Sequence, residues 1–155
     1  MRISGPSLTA TALAVTAAAA ISGCSGLEFV QDHRLSFTAP AEDQLTRLPV
    51  TLSWTMKPPG DYRFGIFIDQ QAVKVGHNID SVLPKGTRAT PALLAATNVY
   101  ETDQDHITIR IIPDLDYDRA SRQRHQATVV LLAPNGDRLN ESAWVREFDL
   151  PKSAP

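Results

Sequence analysis

Cysteine is nearly missing from this sequence, since Cys24 is the only one among 155 residues. A single thiol cannot form a disulfide within the chain, so any folded domain must be stabilised by packing alone. An excess of charge of one sign is missing too, because 15 basic and 17 acidic side chains give a net charge of −2. A mixed and nearly neutral chain argues against nucleic acid as a partner and against electrostatic attachment to an anionic membrane.

The common catalytic motifs are also missing. The sequence has no Gly-x-Ser-x-Gly elbow, no His-Glu-x-x-His, no phosphate-binding loop and no glycine-rich dinucleotide turn. The four histidines lack the spacing of metal ligands; they are His33, His77, His106 and His125. We therefore expect a protein that is not an enzyme and that has no cofactor. A Ser-His-Asp site assembled from distant residues is the remaining catalytic alternative.

The N-terminal apolar run is too short for a membrane-spanning helix. It extends from Leu8 to Ile21 and has 14 residues, whereas a span needs about 20. Arg2 precedes it, no acid occurs before Glu28, and small residues follow it. A basic start, a short apolar region and a small-residue cleavage site are typical of a secretory signal peptide. We predict that residues 1–23 are removed; an N-terminal membrane helix that is never cleaved is the alternative.

The end of that run, Ile21-Ser22-Gly23-Cys24, resembles the lipobox of bacterial lipoproteins. The resemblance implies that Cys24 Sγ is thioether-linked to diacylglycerol and that cleavage occurs between Gly23 and Cys24. The protein would then be lipid-anchored to a bacterial cell membrane and face outward, with residues 24–33 as a lipidated N-terminus and tether. Two or more acyl chains give stable attachment. A free cysteine after an ordinary signal peptide is the alternative.

Residues 34–150 read as one β-rich domain, because apolar residues recur at every second position. The clearest strand covers 50–56, where Val50, Leu52, Trp54 and Met56 share a face. Other predicted strands cover 35–39 at a sheet edge, 62–69, 71–75, 106–112, 126–132 and 138–150. A short helix is predicted near residues 91–98, a loop at 76–88, a hairpin turn at 133–137 and a disordered tail at 151–155.

The stretch from 49 to 69 has a strand ending in Ser53-Trp54, a Pro58-Pro59 loop and a second strand opened by Tyr62-Arg63. It resembles strands B and C of a fibronectin type III domain. The resemblance implies an all-β fold, an immunoglobulin-like or fibronectin type III-like antiparallel β-sandwich. Alternation places Trp54 and Trp144 in the core. It places Phe67 on the opposite face, where we expect the tether to cover it.

One acidic segment suggests metal chemistry. Asp114, Asp116 and Asp118 alternate, and Ca²⁺ takes six to eight oxygen ligands. The calcium-hand pattern fails, however, because Arg119 stands at the glycine position and His125 at the position of the bidentate glutamate. We favour a solvated loop balanced by nearby arginines and predict no metal site. The three aspartates remain the Ca²⁺ candidates.

These features together predict a lipid-anchored cell-envelope protein that presents a non-catalytic β-sandwich. Its expected role is adhesion, scaffolding or accessory binding to an envelope protein or a glycan. The alternative is a Ca²⁺-dependent binding protein or a hydrolytic enzyme that uses the 114–118 loop.

Overall fold

The computed structural model describes residues 32–113, 122–140 and 142–152, and strands dominate this part of the chain. The strands are β1 (Leu35–Ala39), β2 (Gln44–Leu45), β3 (Val50–Met56), β4 (Arg63–Ile68), β5 (Val99–Thr102), β6 (His106–Ile109), β7 (Arg122–Leu132) and β8 (Trp144–Pro151). A 3-10 helix (Ile79–Val82) and one α-helix, α1 (Pro91–Ala96), lie between β4 and β5. Within these described ranges, no helix is long and apolar enough to cross a membrane.

The strands form two sheets, one with the order β1-β3-β6 and one with the order β2-β8-β7-β4-β5. Neighbouring strands are antiparallel, except that β2 runs parallel to β8. The predicted all-β sandwich with one short helix is confirmed. In immunoglobulin-like terms, β1, β3 and β6 occupy the places of A, B and E, and β4, β5, β7 and β8 those of C, C′, F and G. The closer resemblance to fibronectin type III domains stays a prediction.

The main core lies between the two sheets. The inward positions of β3 are buried, as the strict alternation of its sequence predicts. Trp54 is 1% exposed, and its ring meets Phe64 of the opposite sheet edge-on at 5.1 Å and Phe37 at 6.3 Å. The indole N–H of Trp54 has no hydrogen-bond partner among the described residues. The side chain of Trp54 therefore stabilises the sandwich by packing alone.

A second apolar cluster covers the outer face of the five-stranded sheet. Phe67 is fully buried there, together with Val99 and Val130 from the neighbouring strands. Its cover is Ile79 of the 3-10 helix and Leu94 of α1. The described residues that cover Phe67 thus come from the segment between β4 and β5. Most of the tether, which we expected there, lies outside the described residues. This second cluster also explains why β4 is apolar on both faces.

The helix forms where the sequence predicts it. The Thr90 hydroxyl caps its first turn by accepting a hydrogen bond from the Leu93 N–H at 3.3 Å, and Pro91 occupies the first helical position. Asn98, with a positive φ of 57°, follows the helix and turns the chain into β5.

Several strand predictions need correction. Residues 71–75 form no strand, and the predicted loop at 76–88 contains the 3-10 helix. The short strands β2 and β5 were missed, since two and four residues give too little alternation to detect. Strand β6 ends at Ile109, so Ile111 is 74% exposed rather than inward. Strand β8 begins at Trp144 rather than at 138.

Strand β7 begins at Arg122, four residues before its predicted start. Its first inward positions are Gln123 and His125, both buried. Polar residues at buried positions hide the apolar alternation on which the prediction depends.

Replacing Trp54 with Ala should lower the free energy of unfolding by about 3–5 kcal/mol, as expected for loss of a buried aromatic side chain. Trp54→Phe should cost less, because it keeps a ring against Phe64 and removes an N–H that has no partner. Denaturant unfolding followed by circular dichroism would measure both. Thr55→Ala, at the exposed neighbour on the same strand, is the control and should change stability by less than about 1 kcal/mol. An unchanged midpoint for Trp54→Ala would contradict this account of the core.

Candidate functional site

A cleft of about 560 Å³ lies on the covered side of the five-stranded sheet. Three segments outside the sheet line it: the 3-10 helix, α1 and the turn that follows β7. Residues from β4, β5 and β6 complete the lining. Its volume is within the usual range of small-ligand sites. The principal polar lining residues are Arg63, Asn78, Asp80, Tyr100, Glu101 and Asn135, and the principal apolar ones are Pro91, Leu94 and Ile107.

Arg63 and Glu101 form the charged floor of the cleft. Glu101 lies opposite Gly65 in the β4–β5 register, so its side chain is diagonal to Arg63 on the same face. Arg63 Nε lies 3.2 Å from Glu101 Oε1, and Arg63 Nη1 donates to the carbonyl of Pro134 at 2.7 Å. The guanidinium thereby connects β4, β5 and the turn after β7.

Asn78 fixes one wall of the cleft. Its Nδ2 donates to the carbonyl of Asn135 at 2.6 Å and to Asp137 Oδ1 at 3.0 Å, while its Oδ1 accepts from the Asp80 N–H at 3.0 Å. The turn approaches closely because Gly136 has a φ of 86° and no side chain; a Cβ there would lie 3.1 Å from Asn78 Nδ2. The wall is therefore preorganised before any ligand binds.

Tyr100 and Asp80 are the polar lining groups with unused capacity. Tyr100 is half-buried, and burial raises the pKa of its hydroxyl. Within the described residues its hydroxyl has no hydrogen-bond partner, and the Asp80 carboxylate makes no ion pair with any of them. With Arg63 and Glu101 opposed, the ionisable lining carries a net charge of about −1 at neutral pH. The cleft can thus accept a hydrogen-bonding or cationic group beside apolar contacts.

A buried histidine–carboxylate pair lies elsewhere, where β4 ends beside β7. His125 Nδ1 donates to Asp69 Oδ2 at 2.7 Å, and Asp69 Oδ1 accepts from the Gln126 N–H at 2.8 Å. The ring of His125 is 1% exposed and stacks on Phe148 at 5.9 Å. A ring so enclosed cannot reach a substrate from this position. The pair connects two strands and satisfies polar groups inside the sandwich.

A carboxylate cluster was also not foreseen from the sequence. Oxygens of Glu42, Asp43 and Glu147 lie within 4.8 Å of one another, because β2 runs parallel to β8. Arginines already neutralise them: Arg124 lies 3.0 Å from Asp43 and 3.3 Å from Glu147, and Arg146 lies 2.6 Å from Glu42. This is an exposed charge network, and it supplies no argument for a metal site.

Several predicted site residues lie outside the described ranges. They are Gly23, Cys24, Asp114, Asp116 and Asp118. Of the four histidines, His33, His77 and His106 are exposed, and only His125 is buried. His106 Nδ1 lies 2.9 Å from its neighbour Asp105.

Both tryptophans are core residues as predicted, Trp54 at 1% and Trp144 at 7% exposed. The cleft was not predicted, because its lining comes from six separate segments of the chain. Comparison of the chain with protein-family models, with curated proteins and with solved structures found no match.

Asp69→Ala should lower the free energy of unfolding by about 2–4 kcal/mol. It leaves the buried His125 nitrogen unpaired, and it places Ala at a φ of 56°, which is strained for residues other than Gly, Asn and Asp. Asp69→Asn should cost less than half as much, since Asn tolerates this conformation and keeps an acceptor. Asp43→Ala is the matched control, because Asp43 has the same φ but is exposed. Thermal unfolding would compare the three; equal losses for Asp69→Asn and Asp69→Ala would contradict a role for the pair.

Proposed function

We propose that this protein is a lipid-anchored bacterial cell-envelope protein whose β-sandwich is a non-catalytic interaction module. Residues Ile21 to Cys24 support the anchor, through their resemblance to a lipobox. The cleft between the sheet and its cover carries the interaction role. Its walls are fixed by Asn78 and Arg63, and it still offers unused polar groups. Preorganisation of this kind favours binding, because little ordering is needed when a ligand enters.

The first described residue, Asp32, is firmly attached to the sandwich. Its carboxylate accepts from Arg34 Nη2 at 2.6 Å and from the Ser142 hydroxyl at 2.5 Å. Its backbone carbonyl accepts from the indole N–H of Trp144 at 2.6 Å, and the Arg34 guanidinium lies over the Trp144 ring at 5.9 Å. Asp32 is therefore held on the sandwich by both its side chain and its backbone.

Asp32 is held on the sandwich. If Cys24 carries a lipid, the length of chain between Cys24 and Asp32 therefore limits the distance of the module from the membrane. Asp32 is eight residues further along the chain than Cys24, and a fully extended chain advances at most about 3.5 Å per residue. The start of the module then lies within about 28 Å of the lipid-bearing residue. A partner of this module would be another envelope protein or a glycan close to the same membrane.

The chemistry of the cleft favours recognition. Arg63 and Glu101 form an ion pair with each other. Side-chain amides and a tyrosine hydroxyl line the cleft together with apolar side chains. Such a mixed lining can orient a protein segment or a sugar through hydrogen bonds and exclude water around it.

Cys24→Ala should abolish acylation and leave unprocessed precursor, because the thiol is the acyl acceptor. Mass spectrometry of the N-terminal peptide and membrane fractionation of cells would measure this. Ser25→Ala, at the adjacent position, is the control and should be processed normally. A mature N-terminus downstream of Cys24 without lipid would refute the anchor.

Crosslinking in intact cells should recover an envelope partner with the wild type and less of it with Asp80→Ala. Equal recovery would place the binding site of the partner outside the cleft.

Asp32 should make the attachment acid-sensitive. Its hydrogen bonds from Arg34 hold the pKa of the Asp32 carboxyl well below its usual range. Because the folded-state pKa is lowered, this stabilisation is fully present above the unfolded-state pKa of about 4, and it is lost as the pH falls toward the folded-state value. The loss of melting temperature caused by Asp32→Asn should therefore be largest near pH 7 and shrink below about pH 4. Asp61→Asn, at an exposed position, is the control; a loss for Asp32→Asn that stays constant down to about pH 2 would refute the linkage.

A further inference from the structure

We propose that the cleft takes an extended, basic peptide segment of a partner protein, which pairs with the open edge of β5 at Glu101. This inference rests on the proposed function and names the chemical class of its ligand. Strand β5 is the last strand of the five-stranded sheet and pairs only with β4 among the described strands. The cleft includes both Tyr100 and Glu101 of this strand. Because neighbouring residues of a strand face opposite ways, the cleft extends around its edge.

The hydrogen-bond pattern shows which backbone groups of β5 face outward. The Ile68 N–H donates to the Asn98 carbonyl at 3.0 Å, so the backbone groups of Asn98, Tyr100 and Thr102 face β4. In an antiparallel pair the alternate residues direct N–H and C=O to the other side, which here are Val99 and Glu101. Val99 is fully buried within the outer cluster, whereas Glu101 is exposed. The accessible edge therefore begins at Glu101.

A strand added at this edge would send its side chains alternately to the two faces of the sheet. On the inner face, half-buried Tyr100 and Ile107 pack against the main core, and the Tyr100 hydroxyl is unused within the described residues. On the outer face, the side chain would meet Asp80 and Leu94. Addition of a peptide strand to a sheet edge is an established recognition mode: backbone pairing supplies affinity, and side-chain pockets supply specificity.

The charge along this edge favours a basic segment. Asp80 and Glu101 line the cleft, and exposed Asp103 and Asp105 follow on the chain after β5. Arg63 is the one cation among the lining residues, and Glu101 and the Pro134 carbonyl already engage it. Lysine or arginine on alternate positions of a ligand would complement these carboxylates. A glycan lacks N–H and C=O groups at the regular spacing of an extended peptide backbone, so a peptide is the class we infer.

Two capped octapeptides test the proposal against the purified lipidated protein in detergent micelles. One alternates lysine with valine, and the other alternates glutamate with valine. Fluorescence anisotropy should show the lysine peptide binding at least about tenfold more tightly at physiological salt. Glu101→Gln keeps the outward N–H but loses the charge, and it should weaken binding about threefold. Glu101→Pro also removes the N–H, and it should weaken binding about tenfold or more.

Glu101→Pro is expected to fold, because proline is tolerated at a strand edge whose N–H faces solvent. Amide hydrogen exchange of the unmodified protein is an independent readout, in which the lysine peptide should protect residues 99–105. Asp43→Asn, at the opposite edge of the same sheet, is the charge-matched control and should bind like the wild type. Full affinity in Glu101→Pro, equal binding of both peptides, or protection elsewhere would overturn the proposal.

A third probe separates this inference from the proposed function. If an N-acetylglucosamine tetrasaccharide protects residues 99–105 and neither peptide does, the ligand class is wrong and the interaction module remains. If no probe binds while Cys24-dependent anchoring and crosslinking to an envelope partner persist, only the peptide inference fails. Loss of anchoring and of crosslinking would refute the proposed function itself.

Discussion

Burial of β4 on both of its faces is the constraint on which the rest of this structure depends. Its inward side chains, including Phe64 and Ile66, pack between the two sheets. Its outward Phe67 would expose a large apolar surface if the sheet were bare. The 3-10 helix and α1, which lie between β4 and β5 in the chain, cover that face. Two clusters on opposite sides of one strand thus stabilise a domain whose described residues include no cysteine.

The cleft is a consequence of that cover. The covering segment and the turn after β7 meet over the sheet near Arg63, and hydrogen bonds from Asn78 fix their spacing. At Gly65 the approach is so close that a Cβ would lie 3.3 Å from the side chains of Ile79 and Leu132. Toward Glu101 the cover ends, and the edge of the sheet becomes accessible. The covering segment, the turn and the sheet pack together in the folded domain, so the cleft between them keeps its shape without a ligand. Such preorganisation favours binding.

Polar groups at the strand ends connect the apolar layers to the loops. The Asp69–His125 pair links β4 to β7 inside the sandwich, and Asp32 attaches the start of the module to Trp144 and Ser142. Neither group stands in an apolar pattern, yet both satisfy backbone groups that folding would otherwise leave unpaired. In the proposed function the Asp32 attachment has a second role, since the length of the chain between Cys24 and Asp32 then sets the greatest distance between the module and the membrane.

The sequence by itself determined the fold class, the bounds of β3, the start of α1, and the burial of Trp54. Alternation at every second residue and a Thr-Pro helix start are local signals, and local physics produces the corresponding elements. The lipidation of Cys24 and the loop from Asp114 to Asp118 remain predictions from sequence, because both lie outside the described residues. Only the tertiary structure decided what covers Phe67, because nothing local to that strand specifies its cover. The same holds for the site: Arg63, Asp80 and Glu101 come from separate segments, and their proximity exists only after two sheets and a covering helix have packed together.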